Sequence, residues 1–472
     1  MTKTRIPFND SMFTVAAQAD CSKEAGGSPG ADFTMLTFVR QGQEEEKKLP
    51  LHGAHLLNYQ KYKHVNANTG RLAQAMNETK PFMQRLTELY PEMVQNRRYL
   101  HRHPELSFQE KETSAWIADR LRPLGCELKE GVGGYGVVAE FKGVGSGPVI
   151  ALRADIDALP IQDGKECEYR STVSGKMHAC GHDGHTATLL GIASYYASLQ
   201  GAFKGTRRLL FQPAEELTPG GALPMIKDGA LESVDAIYGV HLWTPIPYGE
   251  IHTRPGPFMA AVDEFAVEIT GKGGHGGMPE ATIDAIATGA ALVQSLQTIV
   301  SRNVSPLDTA VLSIGSFQAG TTSNVIAEKC LLKGTVRTFD ENVRGKIRTR
   351  LADMVNLVCA GYGASAVLDY RDGYPAVVND ETETERFFRI GKELFGEVAV
   401  QLSKPITAGE DFAYYLHHVK GCFMFVGAGS EQSGAVYPHH HPRFDIDERS
   451  MLKSAQLMVG MAEDYAREFS LA

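Results

Sequence analysis

The chain has 472 residues, 43% hydrophobic and 22% charged, with a formal net charge of −9. That length exceeds one ordinary core, so two or three domains are expected. The acidic balance, with no dense Lys/Arg stripe, excludes nucleic acid and anionic membrane as the main partner. No apolar run approaches the roughly 20 residues that span a bilayer. MFTVAAQA (12–19) is too short and mixed for a secretory h-region, so no signal peptide is expected. The seven cysteines (Cys21, Cys126, Cys167, Cys180, Cys330, Cys359 and Cys422) are scattered and odd in number. That pattern points to a reducing cytoplasm rather than a disulfide framework.

In chain order, residues 1–80 combine GGSPGAD (26–32), the charge run QEEEKK (43–48) and polar NYQKYKHVNANTG (58–70). They read as an N-terminal extension or arm rather than a domain. From about residue 81 the rhythm becomes α/β. Helices are predicted at 82–101 and over ETSAWIADRLRPLG (112–125), the second ended by Pro and Gly. Strands are predicted at 137–141, 148–155, 207–212 and 234–243. One helix is expected between the last two, and another after His185 with Leu189, Ile192 and Tyr196 on one face. This alternation implies a largely parallel sheet with its site at the strand ends.

The rhythm then changes. Strand 263–271, helix 281–301, strands 309–317 and 329–339, helix 341–360 and strand 365–371 follow one another. The second helix places Val343, Ile347, Leu351, Met354 and Val358 on one face. The order β-α-β-β-α-β is that of a ferredoxin-like unit. It marks an inserted domain at about 262–374, with 375–472 returning to the first domain.

The chemistry concentrates in four stretches. MHACGHDGH (177–185) packs three histidines, a cysteine and an aspartate into nine positions. Cys180 and His182 project to the same side if that segment is extended. Alone, the pair reads equally well as a buried thiol beside a capping histidine. FQPAEE (211–216) ends an apolar strand with two adjacent carboxylates, Glu215 and Glu216, which cannot easily point the same way. One can bind a metal while the other acts as general base toward an activated water. GVHLW (239–243) sets His241 at another strand end, and YPHHHPRFDIDE (437–448) adds three histidines between apolar and Pro flanks. Together the four suit a hydrolytic metal site.

With GKGGHGGMPE (271–280), GTVRTFD (334–340), AGEDFAYY (408–415), RRYLHRHPELSFQEKET (97–113) and LRADIDALPI (152–161), these stretches resemble the M20 metallopeptidase family over about 90–472. They look most like its amidohydrolase branch of aminoacylases, hippurate hydrolases, auxin-conjugate hydrolases and N-acetyl-diaminopimelate deacetylases. The resemblance implies a two-domain α/β architecture. A catalytic domain with a central mixed sheet (81–261 and 375–472) would carry an inserted ferredoxin-like lid and dimerisation domain (262–374). It implies two divalent metal ions per chain (Zn, Mn, Co or Ni), bridged by the Cys180 thiolate. His182 and His241 would complete one metal, and Glu216 and His440 the other, with His439 or His441 as a neighbour. Glu215 would be the general base. His275 would serve a partner subunit's active site as an oxyanion donor, and Arg337 and Asn324 would hold the substrate's carboxylate or backbone end.

The implied function is a metal-dependent amidohydrolase cleaving the C–N bond of an N-acyl or N-aroyl amino acid, as a cytoplasmic homodimer or higher homo-oligomer. A peptidase cutting dipeptides, or a relative hydrolysing an aromatic amine, would share the reaction centre and differ in the pocket. A non-catalytic scaffold predicts a missing base or ligand, whereas all the expected ones are present. Asp155 and Asp157 orient a ligand histidine or cap a turn, and Glu410 and Asp411 carry no assigned role. GVGGYG (131–136) precedes a strand rather than the helix a dinucleotide loop needs, so it reads as a turn. Ala327 stands where the family often has Pro.

Overall fold

The structure, a computed structural model, describes residues 69–470 and, before them, four strands; side chains are described from Pro81 onward. Lys3–Phe8, Ser11–Gln18, Thr34–Arg40 and Glu46–Leu51 pair antiparallel in chain order as one sheet. Most of the apolar stretch 12–19 thus lies in a strand. Its β-branched and aromatic residues favour extended backbone locally. The extension's last residues begin helix Thr69–Arg102, and the rest of 1–68 lies outside the described residues.

From Pro81 onward the main element is an eight-stranded sheet. Its order is Val400–Leu402, Ile251–Thr253, Gly421–Gly429, Ala236–Pro247, Val149–Asp155, Thr206–Gln212, Gly136–Lys142, Glu127–Val132. The four central strands run parallel, while both edges include antiparallel pairs. The sheet is therefore mixed, and the expected parallel character holds at its centre. Strand Val149–Asp155 is almost wholly buried, as a strand covered on both faces should be. Arg153 and Asp155 at its C-terminal end break the apolar run and mark where the chemistry lies.

Helix His182–Ser198 is buried on nearly every side and packs against Arg449–Phe469. It begins at His182 rather than after His185. Gly181, at φ 97°, turns the chain into it, so Cys180 and His182 do not belong to one extended segment.

Between the strands of the large sheet, the chain makes a second, antiparallel sheet. Its order is Ala310–Ala319, Lys329–Thr338, Ala261–Thr270, Ser365–Asp372. Helices Ala285–Thr298 and Glu341–Gly361 complete the β-α-β-β-α-β succession. The first starts at the Asp284 cap, whose carboxylate accepts from the Ile286 and Ala287 amides at 2.8 and 3.1 Å. These elements enclose their own core, including Phe265, Val267, Leu292, Leu296, Ile347, Leu351 and Val355.

A buried charge network fastens the MHACGHDGH stretch to two distant signatures. Arg97, fully buried, donates from Nε to Asp183 at 2.9 Å and from its two terminal nitrogens to Asp445 at 2.5 Å and Glu448 at 3.1 Å. His101 Nδ1 donates to the same Asp183 oxygen at 2.7 Å. Burial opposes ionisation of Asp183, but Arg97 and His101 outweigh it and hold the carboxyl well below the usual range. Removing one partner of such a network leaves buried charge unpaired. Arg97→Met should therefore lower the unfolding free energy by about 3–5 kcal/mol in urea denaturation; a change below about 1 kcal/mol would contradict this role. Because the folded pKa of Asp183 is depressed, its contribution is complete above the unfolded value near ~4 and is lost as pH falls below that.

Candidate metal centre

Cys180, His182, Glu215, Glu216, His241 and His440 converge at one end of the parallel strands. Ligand atoms of Cys180, His182 and His241 lie within 4.8 Å of one another, as do those of Cys180, Glu216 and His440. Cys180 belongs to both groups, with Sγ 3.5 Å from His241 Nε2. His440 Nε2 lies 3.4 Å from Glu216 Oε1.

The hydrogen bonds made by the far side of each ring determine which nitrogen is free. His182 Nδ1 faces two acceptors, the Asp157 carbonyl at 3.0 Å and its carboxylate at 3.1 Å, so Nδ1 carries the proton. In the neutral ring Nε2 is then a lone pair, buried and without a hydrogen-bond partner; Glu216 Oε1 is likewise buried and unpartnered. His241 Nδ1 donates to the Leu242 carbonyl at 3.0 Å, which turns its Nε2 toward Cys180.

The same test removes two other histidines. His185 accepts the Leu242 amide proton on Nε2 at 2.8 Å and donates from Nδ1 to Asp155 at 2.6 Å, so both nitrogens are used. His439 accepts from the Thr244 amide on Nε2 at 3.2 Å and donates from Nδ1 toward Cys180 Sγ at 3.7 Å. It also stacks on Trp243, with centroids 4.3 Å apart. Of the triplet, His440 has a ring nitrogen facing the carboxylate, while His441 stacks on Tyr437 and accepts the Arg443 amide.

The electrostatics ask for positive charge. Burial, then Glu216 and Glu215, push the Cys180 thiol well above its ordinary value. Burial also opposes a charged His182, yet Asp155, Asp157 and Glu216 outweigh it and lift its pKa to about 10. Burial and the neighbouring carboxylates of Glu410 and Glu216 raise Glu215 well above the usual range. A divalent cation among these groups reverses the thiol's preference, since a coordinating thiol is deprotonated outright. The free lone pairs, the carboxylate and the thiol form a donor set suited to a divalent transition metal.

Beneath the cluster, Arg153 donates to Gln212 at 2.8 Å, Asp155 at 2.7 Å, Glu410 at 3.0 Å and Asp411 at 2.9 Å. The AGEDF stretch thereby acquires a role that its sequence does not disclose. It supplies two of the three carboxylates that hold a buried guanidinium at the strand end. Glu215, Glu410 and Asp411 also approach within 4.8 Å of one another, but the last two are engaged by Arg153, Gln212 and backbone amides.

A cavity of about 460 Å³ opens over the centre, lined by Cys180, Glu215, Glu216, His241 and His440 on one side and by Arg337 and Glu264 of the inserted sheet on the other. Arg337 donates to the Thr407 carbonyl at 3.1 Å. His275 and Asn324 do not line this cavity. They sit together at the paired segments Gly274–His275 and Val325–Ile326, where the Gly276 amide donates to the Asn324 carbonyl at 2.8 Å.

Residues 151–464 match the model of peptidase family M20/M25/M40. The chain belongs to that family. A Bacillus subtilis (strain 168) relative named as amidohydrolase YhaA is 49% identical over 386 residues, 82% of this chain and 98% of that one. The N-acetyl-L-cysteine deacetylase of the same organism is 42% identical over 380 residues, 80% and 89% of the two chains. Thermostable carboxypeptidase 1 of Saccharolobus solfataricus is 39% identical over 359 residues, 75% and 91%. Among solved structures, the B. subtilis YXEP protein, described as a dinuclear metal-binding peptidase of the M20 family, is similar at a TM-score of 0.70. It is 36% identical, with 81% of this chain and 99% of that one covered. The M20 protein described here is a metal-dependent hydrolase on these grounds, with a two-domain α/β fold. Among its described residues no helix is long and apolar enough to cross a membrane.

Asp157 links two of the candidate ligands, His182 and Glu216. Its carboxylate accepts from His182 Nδ1, from the Glu216 amide at 3.0 Å and from the Ser107 hydroxyl at 2.7 Å. Asp157→Ala should therefore weaken metal affinity about 10–100-fold, measured by competition with a chromophoric chelator. An unchanged affinity would remove Asp157 from the metal-holding apparatus.

Proposed function

We propose that this protein is an amidohydrolase cleaving the amide of an N-acyl or N-aroyl amino acid, with two divalent cations bridged by Cys180. The observation that carries the reading is the different company of two neighbouring carboxylates: Glu215 and Glu216 both come within 4.8 Å of His182, but only Glu216 also meets Cys180 and His440, and only Glu215 meets Glu410 and Asp411. His182 and His241 would hold one cation with Cys180, and Glu216 and His440 the other. A cation pair so held supplies Lewis acidity that acidifies water and polarises the scissile carbonyl. The donor set is compatible with Zn, Mn, Co or Ni.

Glu215 takes the proton of the attacking water and returns it to the leaving nitrogen. Its raised pKa suits a group that must both accept and release a proton. Arg337 lines the cavity with no carboxylate partner among the described residues; Nε and Nη1 are held by the Thr407 and Val336 carbonyls and the Thr335 hydroxyl, and Nη2 would take the substrate's carboxylate. His275 and Asn324 lie outside the cavity of their own chain, which supports a homodimer in which they complete the partner's site. His275 would donate to the developing oxyanion there. The names of the relatives, a deacetylase and an amidohydrolase, favour this reading; the carboxypeptidase favours peptide cleavage as its alternative.

A panel of N-acetyl and N-benzoyl amino acids, dipeptides and aryl amines separates these readings; turnover of dipeptides alone would overturn the first. Glu215→Gln should lower kcat at least about 100-fold while elemental analysis still finds two metals per chain. Retained activity would remove Glu215 as the base.

The shared-site reading has its own check. Glu215→Gln and His275→Ala should each be inactive alone. Randomly mixed after dissociation, they should recover about a quarter of parental activity, since half the dimers then hold one intact site of two. No recovery despite subunit exchange would place His275 outside the partner's site.

A further inference from the structure

Three consecutive residues, Ala214, Glu215 and Glu216, are held through their backbone by side chains from distant parts of the chain. The Ala214 amide donates to Glu110 Oε1 at 2.7 Å. The Tyr374 hydroxyl donates to the Glu215 carbonyl at 2.6 Å, and the Glu216 amide donates to Asp157 Oδ2 at 3.0 Å. Asp157 also orients His182, and Tyr374 stands where the chain returns from the inserted sheet. Glu110 has no such second task. Its carboxyl is fully buried, Oε1 meets the Ala214 amide, and Oε2 has no hydrogen-bond partner.

A carboxyl group buried to meet backbone amides alone is an expensive way to fill space. Burial, then the Asp157 charge, raise its pKa to about 7. What it holds is unusual as well. Ala214, completely buried, has φ 53°, the left-handed region that residues with a Cβ avoid. An extended Pro213-Ala214-Glu215 segment would send the two glutamates to opposite faces of a strand. The strand stops at Gln212, and the left-handed step at Ala214 keeps the chain from resuming it, so that both side chains enter the same centre.

We propose that Glu110 is a positioning residue for the hydrolysis: by accepting the Ala214 amide it fixes the left-handed turn that sets Glu215 against the cavity and Glu216 against Cys180 and His440. This rests on the roles given above to Glu215 and Glu216. Glu110 touches neither substrate nor ligand atoms. Its effect passes through the turn, so it should appear in kcat and in the Glu216-containing metal site, and not in substrate affinity.

Three full-length variants test this. Glu110→Gln keeps an acceptor oxygen of the same reach, Glu110→Asp keeps the charge but withdraws it by one methylene, and Glu110→Ala removes both. Steady-state kinetics on an N-acetyl amino acid should show kcat reduced roughly 100-fold in the Ala and Asp variants, with KM near the parental value. Zinc-binding isotherms of the metal-free proteins should show one of two equivalents weakened about 10-fold in the same two variants. Glu110→Gln should match the parent in both measurements. Parental behaviour of the Asp variant, or a Gln variant as impaired as the Asp one, would overturn the proposal. So would a defect confined to KM. If Glu110→Ala does not fold, the Asp and Gln pair carries the comparison. If the parent hydrolyses no acyl amino acid, the amidohydrolase reading falls, and the zinc isotherms still decide what Glu110 does.

Discussion

Asp155, Asp157, Glu215, Glu216, Glu410 and Asp411 bring six carboxyl groups into one buried region, and Arg153 forms salt bridges with three of them. Unbalanced negative charge at such depth is unfavourable by several kcal/mol per ion. The folded chain must either protonate some of these groups or surround them with positive charge. Both responses are visible. Glu410 is raised to about 8, mainly by burial and against the pull of Arg153, while His182 is drawn toward its cationic form by its carboxylate neighbours. Divalent cations at Cys180 relieve the same tension more completely than protons, because one ion offsets two carboxylates. The metal centre and the stability of its surroundings are thus one electrostatic problem, and Arg153 is the part solved permanently by protein.

Within that field, the division of labour among the histidines follows from what their outer nitrogens meet. His182 and His241 meet carbonyl or carboxylate oxygens behind them, so in their neutral forms the inner nitrogens are lone pairs. His185 and His439 meet backbone amides on Nε2, which forces Nδ1 to carry the proton and makes each ring a donor. An imidazole in the second state cannot ligate a cation from the nitrogen that donates, but it can hold a carboxylate or a thiolate in place. His185 does this for Asp155, and His439 is directed at Cys180. Four rings packed edge to face thereby become two ligand candidates and two supports without any difference in side-chain chemistry.

That distinction explains how far the sequence could be read. Cys180, Glu216 and His241 stand out because polar, metal-seeking groups interrupt or end apolar runs, and a strand end is where an α/β sheet places function. The β-α-β-β-α-β succession is legible for a similar reason, since each element there buries one face at its own period. The choice of His440 over His439 and His441 comes only from the family resemblance, which sets a ligand two residues before Pro442; the physical reason for passing over His439 is not local. It depends on the Thr244 amide, 195 residues away from His439. Arg97, Glu110 and Tyr374 are still less visible, because each is a single residue whose partner lies 86 to 351 residues off. The expectation that Cys180 and His182 meet along an extended segment fails for a local reason. Gly181 adopts φ 97° and the helix starts at once, so the two converge by a turn rather than by alternation.

The early helix start has a consequence of its own. His182 occupies the first position of a buried 17-residue helix, with Asp183 and Gly184 behind it. The partial positive charge of that helix end adds to the field that the acidic cluster already seeks. Asp183 accepts from Arg97 and His101, so the helix terminus is tied to the N-terminal helix of the described body and to the stretch that follows His440. Loosening that tie would move His182 and His440 together, since Asp445 and Glu448 share the same guanidinium. His182 and His440, on either side of the centre, are therefore registered to one another through Arg97 from behind. The glutamates are registered through the turn at Ala214 and, at Glu216, through Asp157, which also holds His182. A centre assembled from four distant segments keeps its geometry because each pair of segments has its own buried connection, rather than because any one loop is rigid.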